Sequence, residues 1–303
     1  MKKKISVIIP SFNSVLTISR VLDVLSVQMG KGLISEVIVV DSSNDGATKS
    51  LLSRYEPDKI KVIAAGERII PAIGRNMGAL RANGEILAFI DADAYPGHDW
   101  SENIEKAYEN GCMVGGGGIE MADFQRNKPI AGAQYYLQLN EYMCIGRDKV
   151  KKFVSGCNMF CDRKLFQKIG RFPEIRAAEE VLFGLKVSKV ERLWFIPNAK
   201  VHHIFREDWG GFFRNQMLLG KYISIYRKQY YNSFIYKGAM PIILLPGFFC
   251  VKLFRIIFRI SQAGWHHVYH FVMVFPAFLL GLLFWSIGFI AGCLNNKNEN
   301  KDV

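Results

Sequence analysis

Cysteine is sparse in this chain, and none of its six cysteines stands in a Cys-x-x-Cys pair. That excludes a disulfide scaffold and a four-thiolate zinc site. Cys157 and Cys161 lack a second pair to complete a metal set and read as small buried hydrophobes, and all six read as free thiols in a reducing compartment. Zinc-finger spacing, an RNA-recognition signature and a compact basic helix are also missing, which argues against a nucleic-acid partner. The one glycine run, Gly115-Gly116-Gly117-Gly118, lacks the Gly-Lys-Ser/Thr ending of a phosphate loop, and Glu120 stands where the last glycine of Gly-x-Gly-x-x-Gly would fall. Close backbone packing is the better reading of that run. Behind Met1-Lys2-Lys3-Lys4, the apolar run Ile5 to Ile9 is too short for a signal peptide and stops at Pro10. It reads as a buried strand, with the N-terminal part held in the cytoplasm.

What is present is apolar and basic at once. The 303 residues are 50% hydrophobic, with a formal net charge of +12, which excludes a disordered chain and allows one large domain or two modest ones. The charge is uneven: residues 201–303 carry 11 Lys or Arg against 4 Asp or Glu, all of the excess before residue 260. Basic charge beside apolar segments suits the anionic cytoplasmic face of a bilayer. Phe271 to Leu294 is 24 residues without a charge, long enough to cross ~30 Å of hydrocarbon. A core helix would need cover that nothing after Leu294 supplies, so a membrane span is expected. The 14 uncharged residues from Gly238 to Val251, followed by Lys252, Arg255 and Arg259, suit a re-entrant or interfacial segment, and one or two crossings stay open. His266, His267 and His270 are expected at the headgroup boundary.

The first two hundred residues alternate apolar β-branched runs with helical patterns. Strands are expected at Ile5–Ile9, Val37–Val40, Lys61–Ala64 and Ile86–Ile90, and helices at Val15–Val27 and Gly74–Asn83, with a turn over Asp41–Gly46. This pattern predicts an α/β fold with a parallel sheet covered on both faces, whose ligands sit off the C-terminal strand ends. Asp41 follows the second strand, and Asp91-Ala92-Asp93 the fourth. Two carboxylates at i and i+2 of an extended chain point to one side, and their repulsion calls for a cation such as Mg²⁺ or Mn²⁺ or for donor groups. A solvated acidic turn is the alternative.

Several blocks then resemble the inverting family 2 glycosyltransferases in the right order. They are Ser6-Val7-Ile8-Ile9-Pro10-Ser11-Phe12-Asn13, Val39-Val40-Asp41, Arg75-Asn76-Met77-Gly78, Phe89-Ile90-Asp91-Ala92-Asp93, Ser155-Gly156-Cys157-Asn158-Met159-Phe160, Phe172-Pro173-Glu174 and Glu179-Glu180. The resemblance covers roughly residues 4–215. It implies a GT-A nucleotide-sugar-binding fold, a mixed, Rossmann-like sheet with helices on both faces. It implies that Pro10, Ser11 and Asn13 line the nucleoside slot, that Asp41 accepts from the base or ribose, and that Asp91 sits on the ribose. It further implies that Asp93 binds the Mg²⁺ or Mn²⁺ bridging the diphosphate and that Arg75 adds positive charge for the phosphates. Donor and acceptor specificity is expected in loops around Gly115–Asn140.

Displacement at the anomeric carbon requires a carboxylate to take the acceptor proton. The family pattern is Glu-Asp with the Asp as base; here Glu180 takes its place, with Glu179 beside it, at the start of a helix whose inner side is expected to carry Val181, Leu182 and Leu185. Helix-dipole compensation is the bland alternative for both acids. The Gln-x-x-Arg-Trp motif of processive members is absent from Arg214–Gly220, which favours single-sugar transfer. His203 is a candidate for the metal or diphosphate. The expectation is thus a membrane-anchored, metal-dependent glycosyltransferase on the cytoplasmic membrane, its catalytic domain facing the cytoplasm. The donor would be a nucleotide sugar, UDP-linked by family frequency, and the acceptor a lipid-linked glycan. The expected division is a catalytic domain 1–215, a basic juxtamembrane linker 216–237, hydrophobic membrane segments 238–294 and a polar tail 295–303. A degenerate sugar-nucleotide-binding protein and a nucleotidyltransferase are the alternatives.

Overall fold

The computed structural model describes residues 4–55, 58–176, 178–230 and 240–294. The expected tail 295–303, and the expected linker beyond residue 230 with Gly238 after it, lie outside the described residues. In chain order the elements are β1 (Ile5–Ser11), α1 (Ile18–Met29), β2 (Ile34–Asp41), α2 (Gly46–Leu52), β3 (Ile60–Ala64), α3 (Pro71–Arg81), β4 (Ile86–Ile90), β5 (Ala94–Pro96), α4 (Trp100–Glu109) and β6 (Val114–Met121). There follow α5 (Pro129–Gln138), β7 (Lys149–Val150), β8 (Asn158–Asp162), α6 (Arg163–Ile169), α7 (Glu179–Val187), β9 (Trp194–His203), α8 (Trp209–Tyr230), α9 (Met240–Ile243), α10 (Leu245–Gln262) and α11 (Trp265–Leu294).

One mixed sheet runs β3-β2-β1-β4-β8-β6-β9-β5, with β7 on β9. Its first four strands are parallel. The pairs β4–β8, β8–β6, β9–β5 and β9–β7 are antiparallel. The parallel half follows from near-continuous β-branched runs: Ile5, Val7, Ile8, Ile9, Val37, Ile38 and Val39 have no exposed surface, as strands covered on both faces require. Helix α3 comes close to this half because Gly78 carries no side chain; a Cβ there would stand 2.5 Å from Ile8 Cγ2. The turn expected over 41–46 runs on into α2, whose first amides are capped by Asp45 accepting from Thr48 N at 2.8 Å.

The Gly115–Gly118 run is strand β6. A Cβ on Gly117 would lie 1.6 Å from the Ala199 carbonyl oxygen, and one on Gly116 2.6 Å from Val154 Cβ. Only bare backbone fits between its neighbours. Residues 115–140, expected as specificity loops, are therefore mostly regular structure, β6 and α5.

The chain divides into two compact units, and not at the expected boundary of 215. The first holds the residues up to Glu120 with Gly146–His203; the second holds Met121–Ile145 with the described residues from Ile204. Within the first, Phe89, Phe166, Phe172 and Phe183 pack with ring centroids 4.8–5.5 Å apart. That cluster sets the phase of α7: Phe183 and Val187 face in, while Leu185, expected inside, is 42% exposed and Val181 and Leu182 are only partly covered.

In the second unit, one face of α11 is covered by earlier parts of the chain. Phe278, Leu282 and Phe289 have no exposed surface. A Cβ on Gly281 would meet Phe212 of α8 at 2.3 Å and Leu137 of α5 at 2.6 Å. His267 and His270, expected at a headgroup boundary, turn toward α5: His270 Nδ1 lies 3.0 Å from the Tyr136 hydroxyl, and Tyr136 donates to the His267 carbonyl at 3.1 Å. The stretch expected to be re-entrant or interfacial forms α9 and α10, and Arg259 of α10 donates to Asn140 Oδ1 at 2.6 Å.

Candidate active site

Parallel pairing in the first unit brings three strand ends to one rim. Ser11 stands opposite Asp41 in register, and Asp91 directly follows β4. Asp41 is buried, and its Oδ1 accepts from Ser11 Oγ at 3.0 Å, Ser43 Oγ at 2.6 Å and Ser43 N at 3.3 Å. Asn13 adopts a left-handed φ of 49°, which Asn tolerates better than most residues. From there its side chain ties down the turn after β2: Nδ2 donates to Asn44 Oδ1 at 2.8 Å, and Oδ1 accepts from Asn44 N at 3.1 Å. Pro10, whose ring leaves no N–H, lies past the β1–β4 pairing, which runs from Ile5 with Ile86 to Ile8 with Phe89.

Arg75 sits five residues into α3 and is buried. Its Nη1 donates to Glu179 Oε1 at 2.7 Å and its Nη2 to Asp91 Oδ1 at 2.6 Å. Burial opposes its charge, and Asp91 and then Glu179 more than offset this, so its pKa is raised. The guanidinium is packed against Phe172, 5.7 Å from the ring centroid, and a Cβ on Gly156 would lie 3.0 Å from it. The next residue clamps the same loop: Asn76 Nδ2 donates to the Phe172 carbonyl at 2.9 Å, and Phe172 N donates back to Asn76 Oδ1 at 3.1 Å. Arg75, expected to add positive charge for the phosphates, is engaged inside the protein by two carboxylates. It also answers part of the acid crowding that had called for a metal.

Glu180 opens α7 beside Glu179, after Ala178 in a left-handed conformation with φ 65°. Such backbone costs about 1–3 kcal/mol for a residue with a side chain and tends to gather at functional sites. Burial first, and the Glu179 charge second, push the Glu180 carboxyl up to about 8; a backbone N–H and Arg75 pull it the other way.

The Asp91-Ala92-Asp93 segment is a turn rather than the expected extended chain, closed by Ala94 N donating to the Asp91 carbonyl at 3.0 Å. Its two carboxylates take different partners. Asp91 goes to Arg75, while Asp93 Oδ1 lies 3.5 Å from His203 Nε2, with the Asp93 side chain 42% exposed. The β5–β9 register pairs Ala94 with His203 and so brings this histidine to the turn. A carboxylate oxygen and an imidazole nitrogen at this spacing fit a divalent cation that keeps diphosphate and water in its remaining positions. Among the described residues no group of three or more His, Cys, Asp or Glu side chains could hold a metal, so the protein would supply a partial shell.

Sequence reading missed the Arg75–Glu179 pair, which closes across 104 residues, and the packing of Phe172 and Gly156 around the guanidinium. The Arg75-Asn76 and Phe172-Pro173 blocks carried the signal; each is one half of the Asn76–Phe172 clamp.

Comparison with known proteins places the chain in a family and its sheet in a known fold. The glycosyltransferase AglE of Haloferax volcanii is 28% identical over 174 residues, 56% of this chain and 56% of that protein. The putative teichuronic acid biosynthesis glycosyltransferase TuaG of Bacillus subtilis is 27% identical over 158 residues, 51% of this chain and 60% of that one. The chain thus spans little more than half the length of these curated relatives. Two solved structures share the fold at 16% identity. The mannosyltransferase PcManGT of Pyrobaculum calidifontis, in complex with GDP-Man and Mn²⁺, superposes with a TM-score of 0.62 over 98% of this chain and 89% of its own. S. aureus TarS 1–349, in complex with UDP-GlcNAc, gives 0.57 over 95% and 91%. The mixed sheet with its flanking helices is the GT-A fold. A profile of Glycosyl transferase family 2 matches residues 6–170, more than half of the chain, and the protein belongs to that family.

Proposed function

We propose that this chain is an inverting, divalent-metal-dependent glycosyltransferase. It moves one sugar from a nucleotide-sugar donor to a lipid-linked acceptor in the synthesis of a cell-surface glycan. The observation that carries the reading is Glu180: a carboxyl pushed up to about 8, beside Glu179, whose partner Arg75 also holds Asp91. A base titrating near working pH is what proton abstraction from a hydroxyl needs. The TarS complex with UDP-GlcNAc and the teichuronic-acid relative support a UDP-sugar donor and a cell-surface product. The PcManGT complex with GDP-Man and Mn²⁺ supports metal use.

In this reading Asp41, fixed through Oδ1 by Ser11 and Ser43, accepts from the nucleoside. Pro10, Ser11 and Asn13 shape its slot. Arg75 holds Asp91 and Glu179 in place in a crowded site. Glu180 takes the proton from the acceptor hydroxyl as its oxygen bonds to the anomeric carbon; the bond to the diphosphate breaks, and the nucleoside diphosphate leaves with that electron pair. Asp93 and His203 would hold the cation, which when bound offsets charge on the departing diphosphate. The second unit, with its apolar helices and basic residues, associates with the cytoplasmic membrane and keeps the site on the cytoplasmic side, near lipid-linked acceptors.

The test is a transfer assay with purified full-length protein, a panel of UDP- and GDP-sugars and a lipid-linked acceptor, the product anomer being read by NMR. One donor should be transferred with inversion, EDTA should abolish the activity, and Mn²⁺ should restore it. Retained configuration, or no turnover of any donor, overturns the mechanism; undiminished activity in EDTA overturns the metal.

A further inference from the structure

Helix α11 is long and apolar enough to cross a membrane by length and composition, but its neighbours in the second unit decide how it can lie. Helix α8 runs alongside it. Phe213 stacks on Phe284 at 4.1 Å, a Cβ on Gly288 would come within 2.0 Å of the Met217 carbonyl, and Lys228 Nζ reaches the Cys293 carbonyl at 3.3 Å. Helix α10 runs back along it, with Phe248 against Phe289 at 5.6 Å and Lys252 Nζ 3.5 Å from the Trp285 ring centroid. The middle of the uncharged stretch Phe271–Leu294 falls between Leu282 and Leu283. Lys252, level with Trp285, and Arg214, next to Phe213, therefore lie within about 5 Å of that middle along the axis, at ~1.5 Å per residue. Arg214 is exposed. Lys252 is covered by Trp285, but a crossing by α11 would carry the exposed Arg214 to the centre of the hydrocarbon, where such charges are costly and almost always face protein or water.

The uncovered face of α11 tells the same story. Trp265, Tyr269, Val272, Leu280, Leu283 and Ile287 are exposed at helical spacing, one stripe about 33 Å long at that rise. On α10, Phe254 and Phe258 are 70% and 66% exposed, with the exposed Arg255 between them. An exposed apolar stripe on α11, together with the exposed Phe254, Arg255 and Phe258 of α10, suits the interface of an anionic bilayer.

We infer that α10 and α11 lie flat in a single leaflet of an anionic membrane, with both ends of α11 on the same side, so that the protein binds the bilayer without crossing it. This rests on the membrane association proposed above and sharpens its mode. The test uses full-length protein in a bacterial host, fused after Val303 either to alkaline phosphatase, active only outside the cell, or to a green fluorescent protein, fluorescent only inside. A Gln262→Cys variant, at an exposed position before the α10–α11 turn, is probed with an impermeant maleimide against the unsubstituted chain. Flat binding gives a fluorescent, phosphatase-inactive, salt-resistant membrane fraction and labelling of Cys at 262 only after lysis. On vesicles of purified lipid, Phe254→Glu should lower partitioning by about tenfold, the worth of one buried apolar side chain, and phosphatidylglycerol should bind better than phosphatidylcholine. Active phosphatase, or labelling at 262 in intact cells, overturns flat binding and leaves membrane association standing. Full-length protein recovered in the soluble fraction overturns both.

Discussion

Asp91 and Asp93 stand two residues apart in one turn, yet they belong to different halves of the site. Asp91 is held by the Arg75 guanidinium at 2.6 Å, and the same guanidinium holds Glu179 at 2.7 Å. Asp93 is more exposed, and its Oδ1 lies 3.5 Å from the His203 imidazole. The first half offsets part of its negative charge with a cation built into the fold. In the function proposed above, the second half takes the cation that arrives with the substrate. On that proposal, fixed charge organises the base side of the site, while the diphosphate side is completed on binding. Substitutions should separate the halves, since the closed half couples to stability and the open half does not.

The largest effect is expected from Glu180→Gln, which keeps shape and hydrogen bonding but cannot take a proton. Turnover should fall by about 10²–10⁴-fold while donor Kd from calorimetry stays nearly constant. The same variant has a stability signature. The fold raises this carboxyl from about 4.5 to about 8, so it favours the protonated form. The stability this contributes is complete below about 4.5 and is lost as pH rises through about 8. Glutamine mimics the protonated state, so Glu180→Gln should melt above the unsubstituted protein at pH 9 and alongside it at pH 4.5.

Arg75→Met breaks the closed half. It strands Asp91 and Glu179 without their shared cation, a loss of about 3–5 kcal/mol when a buried pair is broken. The melting temperature should drop by about 10 °C, at ~2–4 °C per kcal/mol for a domain of this size. Arg75→Lys should recover part of that loss, because one ammonium cannot reproduce the two-pronged contact. An unchanged melting temperature for Arg75→Met would mean the two ion pairs do not hold the site together. Asp93→Ala probes the open half. It should lower donor affinity and turnover together and make EDTA without further effect, yet leave melting unchanged within about 0.5 kcal/mol, as for a substitution outside the core.

The contrast between the halves also marks what the sequence made legible. The parallel strands could be read because both faces are buried and the runs Ile5–Ile9 and Ile86–Ile90 are apolar throughout. Parallel strands send their ligands to one rim, and that made Ser11, Asp41 and Asp91 candidates before any contact was known. The Arg75–Glu179 pair was hidden because the two residues meet only through the docking of α7, and the phase of that helix is set by the aromatic cluster around Phe183. The antiparallel half left little trace in periodicity, since its central strand β6 is a run of glycines chosen for closeness to Ala199 and Val154. The cover on α11 was unreadable for the same reason: Gly220, Gly281, Gly288 and Gly292 mark a helix contact only once the partner is known.

The smallest expected change is also the one that tells the two adjacent acids apart. Glu179→Gln keeps an oxygen for the Arg75 Nη1 hydrogen bond but removes the charge that, after burial, is the second cause holding the Glu180 carboxyl high. With that charge gone, the Glu180 pKa should fall below about 8. A base must be anionic to act, so in the unsubstituted enzyme kcat/KM should climb about tenfold per pH unit up to about 8 and then level off, since kcat/KM reports groups in the free enzyme. In Glu179→Gln the same profile should level off at lower pH, with a plateau modestly below that of the unsubstituted enzyme because a weaker base abstracts less readily. At pH 6.5 the two effects oppose each other, and the variant should match or exceed the unsubstituted enzyme. A midpoint that stays near 8 would assign the whole shift to burial. Collapse of Glu179→Gln at every pH, with Glu180→Gln active, would move the base to Glu179 and leave the Arg75 pair as its restraint.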